Sequence, residues 1–143
     1  MERFRSESEQ ETQAIGRQLA SRLPPHAVVQ LTGDLGAGKT LLVKAIAAAL
    51  GADPDQVSSP SFAIVHEYPL PDRPPLIHID GYRLTGHRRE WDEIGIPDLL
   101  REPGLKFIEW PNVELARIGG RLLDVRILIN EDDSRTIEVS GLD

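Results

Sequence analysis

The chain has 143 residues, 40% of them hydrophobic, and a formal net charge of −7. No apolar run is long enough to cross a bilayer, and no cysteine is present to form a disulfide or a thiolate metal site. The acidic balance and an aromatic content of only 5% argue against nucleic acid or an anionic membrane surface as the main direct ligand.

One compact domain spanning residues 1–143 is expected. Met1-Glu2-Arg3-Phe4-Arg5-Ser6-Glu7 lacks the apolar stretch of a secretory signal, so the expected location is the cytoplasm. Ser8 and Glu11 have the form of a capping box, and Ile15, Leu19 and Leu23 follow at four-residue spacing. This predicts an amphipathic helix over 9–22, ended by Pro24-Pro25. Ala27-Val28-Val29-Gln30-Leu31 reads as a buried strand, followed by a glycine-rich loop. Residues 40–50 are apolar on most faces, which suits a helix packed under a sheet, with Gly51 as its stop. Residues 62–68 and 76–80 read as strands. Their short proline-rich connection is too brief for a parallel crossover, so the pair is expected to be antiparallel. A helical stretch over 88–102 follows, with Pro97 starting a second piece, then a buried strand over 106–109. Residues 122–129 and 136–139 flank Asn130-Glu131-Asp132-Asp133-Ser134, a hairpin turn. The sum is a three-layer α/β domain of the phosphate-loop NTPase type with a mixed, mostly parallel central sheet.

Gly33-Asp34-Leu35-Gly36-Ala37-Gly38-Lys39-Thr40 matches G-x-x-x-x-G-K-[ST] in full, between a predicted strand and a predicted helix. Its glycines let the backbone turn so that successive N–H groups point at phosphate oxygens, and the helix N-terminus adds partial positive charge. Lys39 places an ammonium on the β- and γ-phosphates. The Thr40 hydroxyl is a ligand suited to magnesium, a hard cation.

Asp80 ends one apolar strand beside this loop and is placed to hold magnesium directly or through water; the bland alternative is a solvated strand-end aspartate or a helix cap. Glu109 ends another. Orienting or deprotonating the attacking water, magnesium's second shell, and a structural pair with an arginine are all open to it. Trp110 either covers the nucleotide or belongs to the core. Ser58-Ser59-Pro60-Ser61-Phe62 reads as an ordinary loop capping a strand or as a switch bringing a hydroxyl to magnesium. His78 and Asp80 leave the same face of a strand. With no further ligands at zinc spacing, His78 reads as a hydrogen-bonded core histidine. Arg83, His87, Arg88 and Arg89 form the basic cluster, a solvated face or a partner contact, with Arg83 also within conceivable reach of a phosphate.

Four blocks in this order resemble the TsaE family, small bacterial ATPases that support threonylcarbamoyladenosine formation on tRNA. They are the phosphate loop 33–40, Ser59-Pro60-Ser61-Phe62, His78-Ile79-Asp80-Gly81-Tyr82-Arg83-Leu84, and Ile108-Glu109-Trp110-Pro111. Glu11-Thr12, Gly16 and Leu19-Ala20 are similar to the family's first helix. The last thirty residues match only in length and strand-like character. Ser61 stands where the family usually has threonine, which keeps the hydroxyl, and Gly81 stands where a bulky apolar residue is common, which is expected to loosen that strand end.

The resemblance implies ATP as the nucleotide, magnesium held by Thr40, Asp80, Glu109 and Ser61, and Lys39, Asp80 and Glu109 as catalytic residues. It implies contacts to the nucleotide from residues 33–40, from Trp110 and, near the adenine, from Thr12. Hydrolysis alone would be slow. The implied partners are TsaD, which performs the transfer, and TsaB, its dimerisation companion; hydrolysis would reset their complex between turnovers, and tRNA would be met only through it. A small-molecule phosphotransferase and a nucleotide-gated binding module without catalysis are the competing readings.

Overall fold

A computed structural model describes residues 1–143 except 35, 57, 62–63, 82–87, 112–114, 116–119 and 143, with the backbone alone for 58–61, 88 and 90. Among the described residues eight strands, β1 (Glu2–Ser6), β2 (Ala27–Gly33), β3 (Ser58–Ser61), β4 (Val65–Leu70), β5 (Arg73–Asp80), β6 (Leu105–Glu109), β7 (Leu122–Ile129) and β8 (Arg135–Ser140), build one sheet in the order β1-β8-β7-β2-β6-β5-β4-β3. The four central strands, β7-β2-β6-β5, are parallel; the pairings outside them are antiparallel. The sheet is therefore mixed, with its parallel part at the centre.

Both faces are covered. Val29 and Leu31 of β2 pack with Leu19 of α1 (Glu9–Ala20) and with Leu42 and Ile46 of α2 (Lys39–Ala49). Val28, pointing the other way, packs with Trp91 of α3 (Arg88–Ile94) and with Ile96 and Leu100 of α4 (Ile96–Arg101). Period-two alternation on a strand buried on both sides thus divides the core into two apolar layers. All five residues of β6 are buried. Among the described residues no helix is long and apolar enough to cross a membrane.

Local chemistry explains the element ends. The Ser8 side chain caps α1 by accepting from the Glu11 amide at 3.1 Å, and the Glu11 carboxylate accepts from the Glu7 amide at 2.6 Å. The β4–β5 pair is antiparallel, as expected, but the strands run further into the proline-rich stretch, leaving only Pro71-Asp72 as the turn. Pro69, Pro74 and Pro75 are accommodated because the register shifts between Tyr68 and Leu70, where missing N–H groups interrupt no regular ladder. The expected helix over 88–102 is broken at Gly95, at φ 87°, with Pro97 in the first turn of α4.

Two strands lie outside the sequence expectations. β1 takes the sheet edge beside β8, and β3 takes the opposite edge, where Pro60 is tolerated because an edge strand leaves one row of groups unpaired.

Gly81 does not loosen its strand end. A Cβ there would lie 2.5 Å from two ring atoms of Trp91 and 2.6 Å from the Glu109 carbonyl oxygen. Trp91 is fully buried and occupies the space a larger residue would need, while the Gly81 amide donates to Glu109 O at 3.0 Å. Gly81→Ala is therefore expected to lower stability by about 1–3 kcal/mol through overpacking, read as a fall in Tm.

Candidate nucleotide-binding site

The site grows from the register of three parallel strands. Leu31 of β2 and Asp80 of β5 both pair with Glu109 of β6, so the strand ends lie level. Neighbouring strands are roughly 4.8 Å apart, which sets the Glu109 and Asp80 backbones side by side at the C-terminal edge of the sheet. The loop over 33–40 leaves β2 at that same edge and enters α2 at Lys39. Gly36 and Gly38 have φ of 82° and 110°, and a Cβ on either would meet open space. Glycine is needed there for the left-handed backbone and not for room. Gly38 is the N-cap of α2 and supplies no side-chain cap, so the helix's first amides keep their capacity for an anion. Leu35 lies outside the described residues.

Lys39 is 6% exposed, and its ammonium donates to the Gly33 carbonyl oxygen. It also lies 3.4 Å from Glu109 Oε1, while His78 Nε2 is 2.5 Å from Glu109 Oε2. Both carboxylate oxygens are thus engaged, and among the described residues the pairing is with Lys39 and His78. His78 is indeed buried and hydrogen-bonded; its Nδ1 has no partner among the described residues. What the sequence did not reveal is that its partner is Glu109, 31 residues away. Burial by itself pushes the Glu109 carboxyl up, but the hydrogen bond and charge of His78, and then Lys39, outweigh it and hold the group below the ordinary value of 4.5. A depressed carboxylate contributes stability that is present above its unfolded value and lost as pH falls through its folded one. Glu109→Gln is therefore expected to flatten the decline of Tm below about pH 4.5, measured as melting temperature against pH.

Thr40 and Asp80 line one cavity of about 330 Å³, together with Lys44, His66 and His78. A hydroxyl and a carboxylate facing a common space are the hard oxygen donors that magnesium takes alongside substrate phosphates, so the residues present fit that ion. Glu109 fits direct ligation less well, because both its oxygens already hold partners. Among the described residues no three His, Cys, Asp or Glu side chains converge on a metal position. The backbone of Ser61 forms part of β3, and its side chain is outside the described residues.

Trp110 is not a core residue. It is 38% exposed, sits in left-handed backbone at φ 54°, and lays its ring 5.0 Å from the Lys39 ammonium. Strained backbone of this kind persists where the surroundings impose it, here at the end of β6 over the loop lysine. Thr12 borders a different part of the loop. It is buried, its hydroxyl bonds Ser6 Oγ at 2.7 Å, and it lines a cavity of about 290 Å³ with Ser8, Gly36, Gly38 and Arg135. Of the basic cluster, Arg83 and His87 lie outside the described residues, and Arg89 is a solvated residue paired with Glu93 at 3.1 Å.

A loop with these glycines, a buried lysine at the start of its helix and two carboxylates on adjacent strand ends define a phosphate-loop NTPase-like protein. Comparison with known proteins narrows this: residues 6–137 match the family model described as "Threonylcarbamoyl adenosine biosynthesis protein TsaE", and the chain belongs to that family. It is 47% identical to the tRNA threonylcarbamoyladenosine biosynthesis protein TsaE of Aquifex aeolicus, over 93% of this chain and 91% of that one. It is 35% identical to the TsaE of Streptomyces coelicolor, over 90% and 88%. Among solved structures, Bacillus subtilis YdiB superposes with a TM-score of 0.71 at 28% identity, covering 99% of this chain and 86% of that one.

Proposed function

We propose that this chain binds ATP with magnesium and hydrolyses it slowly, and that this turnover acts on the TsaB–TsaD complex in the cytoplasm, resetting it between rounds of tRNA modification. The family's role in threonylcarbamoyladenosine biosynthesis supports the pathway. The observation that carries the chemistry is the buried Lys39–Glu109 pair at the mouth of the phosphate loop. Lys39 turns from that pair toward the β- and γ-phosphates, and Glu109 remains held by His78. Thr40 and Asp80 would hold magnesium, which neutralises phosphate charge when bound.

Hydrolysis needs a water aligned with the γ-phosphorus. That water bonds to phosphorus as the bond to the bridging oxygen breaks, leaving ADP and phosphate. Because its carboxyl is held below the ordinary range, Glu109 is a weak base and a good hydrogen-bond acceptor. Orienting the water suits it better than removing its proton early, and phosphoryl transfer through a loose transition state asks mainly for orientation. Thr12, which lines a cavity with Gly36 and Gly38, and Trp110, beside Lys39, are proposed to border the nucleotide.

The test is ATP turnover by the purified chain, alone and with the TsaB–TsaD pair and tRNA. Slow turnover alone and clear stimulation by the complex are expected. Fast turnover indifferent to the complex would contradict the accessory role. Asp80→Ala is expected to make nucleotide affinity less dependent on magnesium, measured by titration with and without a chelator.

A further inference from the structure

The hairpin between β7 and β8 sends one residue into the phosphate loop. Arg135, the first residue of β8, donates from Nε to the Ala37 carbonyl at 3.2 Å and from Nη2 to the Gly36 carbonyl at 3.4 Å, while Nη1 donates to the Asp133 carbonyl at 2.5 Å. The guanidinium therefore spans from the hairpin turn to two consecutive loop peptides. A planar fork presents these donors at fixed separations on three nitrogens, whereas an ammonium holds its donors on one atom.

We infer that Arg135 is a positioning residue for nucleotide binding: it anchors the outward carbonyls of the phosphate loop and so fixes where the loop's amides point. This rests on reading the loop as a nucleotide site. Within a planar trans peptide the C=O and the following N–H point in opposite directions. Holding the Ala37 carbonyl toward Arg135 turns the Gly38 amide to the far side, at the N-terminus of α2. Holding the Gly36 carbonyl likewise fixes the Ala37 amide, which donates to Asp34 O at 3.0 Å and closes the loop's inner turn. Gly36 and Gly38 flank these peptides and are the residues with most backbone freedom to lose. Ordering such residues carries a conformational-entropy penalty, and a loop ordered before the ligand arrives does not add that penalty to binding.

The turn that aims Arg135 is itself closed by hydrogen bonds. Asp132 Oδ1 accepts from the Ser134 hydroxyl at 2.5 Å and the Ser134 amide at 3.1 Å, and its other oxygen accepts from Arg5 of β1 at 2.6 Å. Asn130 Nδ2 donates to Ser134 Oγ at 2.9 Å and to Thr136 Oγ1 at 3.0 Å. Arg135 pairs with Ser6 on one side and Ile129 on the other, so both neighbouring strands fix its backbone. The guanidinium thus reaches the glycine-rich loop from a base held by hydrogen bonds, which is the arrangement a brace requires.

The experiment is calorimetric titration of wild type, Arg135→Ala, Arg135→Gln and Arg135→Lys with magnesium ATP and, separately, with inorganic tripolyphosphate, which has no sugar or base. Arg135→Ala and Arg135→Gln are expected to weaken both ligands by a common factor of about tenfold, with Arg135→Lys recovering only part of it. KM for ATP should rise in step, with kcat at saturation within about twofold of wild type. Weakened ATP binding with unchanged tripolyphosphate binding would mean that Arg135 touches the nucleoside instead, and would overturn the inference. Unchanged affinity for both ligands, or a fall in kcat without a rise in KM, would also overturn it. If Arg135→Ala does not fold, Arg135→Gln, which keeps most of the side chain, decides between the same outcomes. Should wild type bind neither ligand, the nucleotide reading itself fails and this inference falls with it, a result distinct from equal binding by wild type and variant.

Discussion

Lys39→Ala is expected to raise the dissociation constant for magnesium ATP by about a hundred- to a thousandfold. Each hydrogen bond from an ammonium to a charged partner contributes about 1.5–3 kcal/mol, and Lys39 is placed to serve two phosphates. Every 1.4 kcal/mol is a factor of about ten, so two such contacts reach that range. A second effect adds to the first. Glu109 is buried beside Lys39, and without the lysine, among its partners in the described residues, His78 alone is left to offset its carboxylate as phosphates approach. Titration calorimetry on the variant checks the expectation, with circular dichroism to confirm that it is folded. An affinity within a few-fold of wild type would exclude Lys39 as the phosphate-binding ammonium.

Glu109→Gln is expected to separate turnover from binding. Exchanging the charged carboxylate that orients water for a neutral amide with one acceptor oxygen should lower kcat by about a hundred- to a thousandfold, the range seen when one positioned group is removed from a polar transition state. Affinity for ATP should hold or tighten. In the free protein Lys39 is shared with the Glu109 carboxylate at 3.4 Å, and nucleotide must compete for it; a neutral amide holds the ammonium less strongly. Single-turnover kinetics and a binding titration on the same sample test both halves. A binding module without catalytic chemistry predicts no change in turnover on this substitution. A variant that lost affinity and kept its rate would reverse the assigned roles.

The parts of the fold legible in the sequence are those written in short-range chemistry. The capping box at Ser8 and Glu11, the Gly51 stop, the second helical piece started by Pro97 and the hairpin turn at 130–134 each carry their own local cause. The loop motif placed Lys39 and Thr40, and the apolar strands placed Asp80 and Glu109 at their ends. The edge strands were harder for opposite reasons. β1 alternates Arg3, Phe4 and Arg5 with the period of a half-exposed strand, but the pattern is only five residues long and holds a single large apolar side chain. β3 is Ser-Ser-Pro-Ser, which has little strand propensity and owes its conformation to pairing with Glu67 and Val65 of β4.

Contacts between distant residues were not legible. His78 meets Glu109 only because β5 and β6 pair in parallel, with His78 opposite Phe107 and Asp80 opposite Glu109. Arg135 meets the loop carbonyls across 98 and 99 residues of chain. Both depend on sheet order, which the sequence pattern left undetermined. Gly81 shows the same limit at one position. Compared with the family it looked like a loss of packing, and only the position of Trp91 reveals that the space is filled from α3.

The most direct measurement is a calorimetric titration of the wild-type chain with magnesium ATP at neutral pH. Saturable heat at one nucleotide per chain, abolished or strongly weakened in Lys39→Ala, is the expected result. The absence of any binding heat with ATP, ADP or their magnesium salts across a range of temperatures would contradict the assignment of residues 33–40 as a polyphosphate cradle.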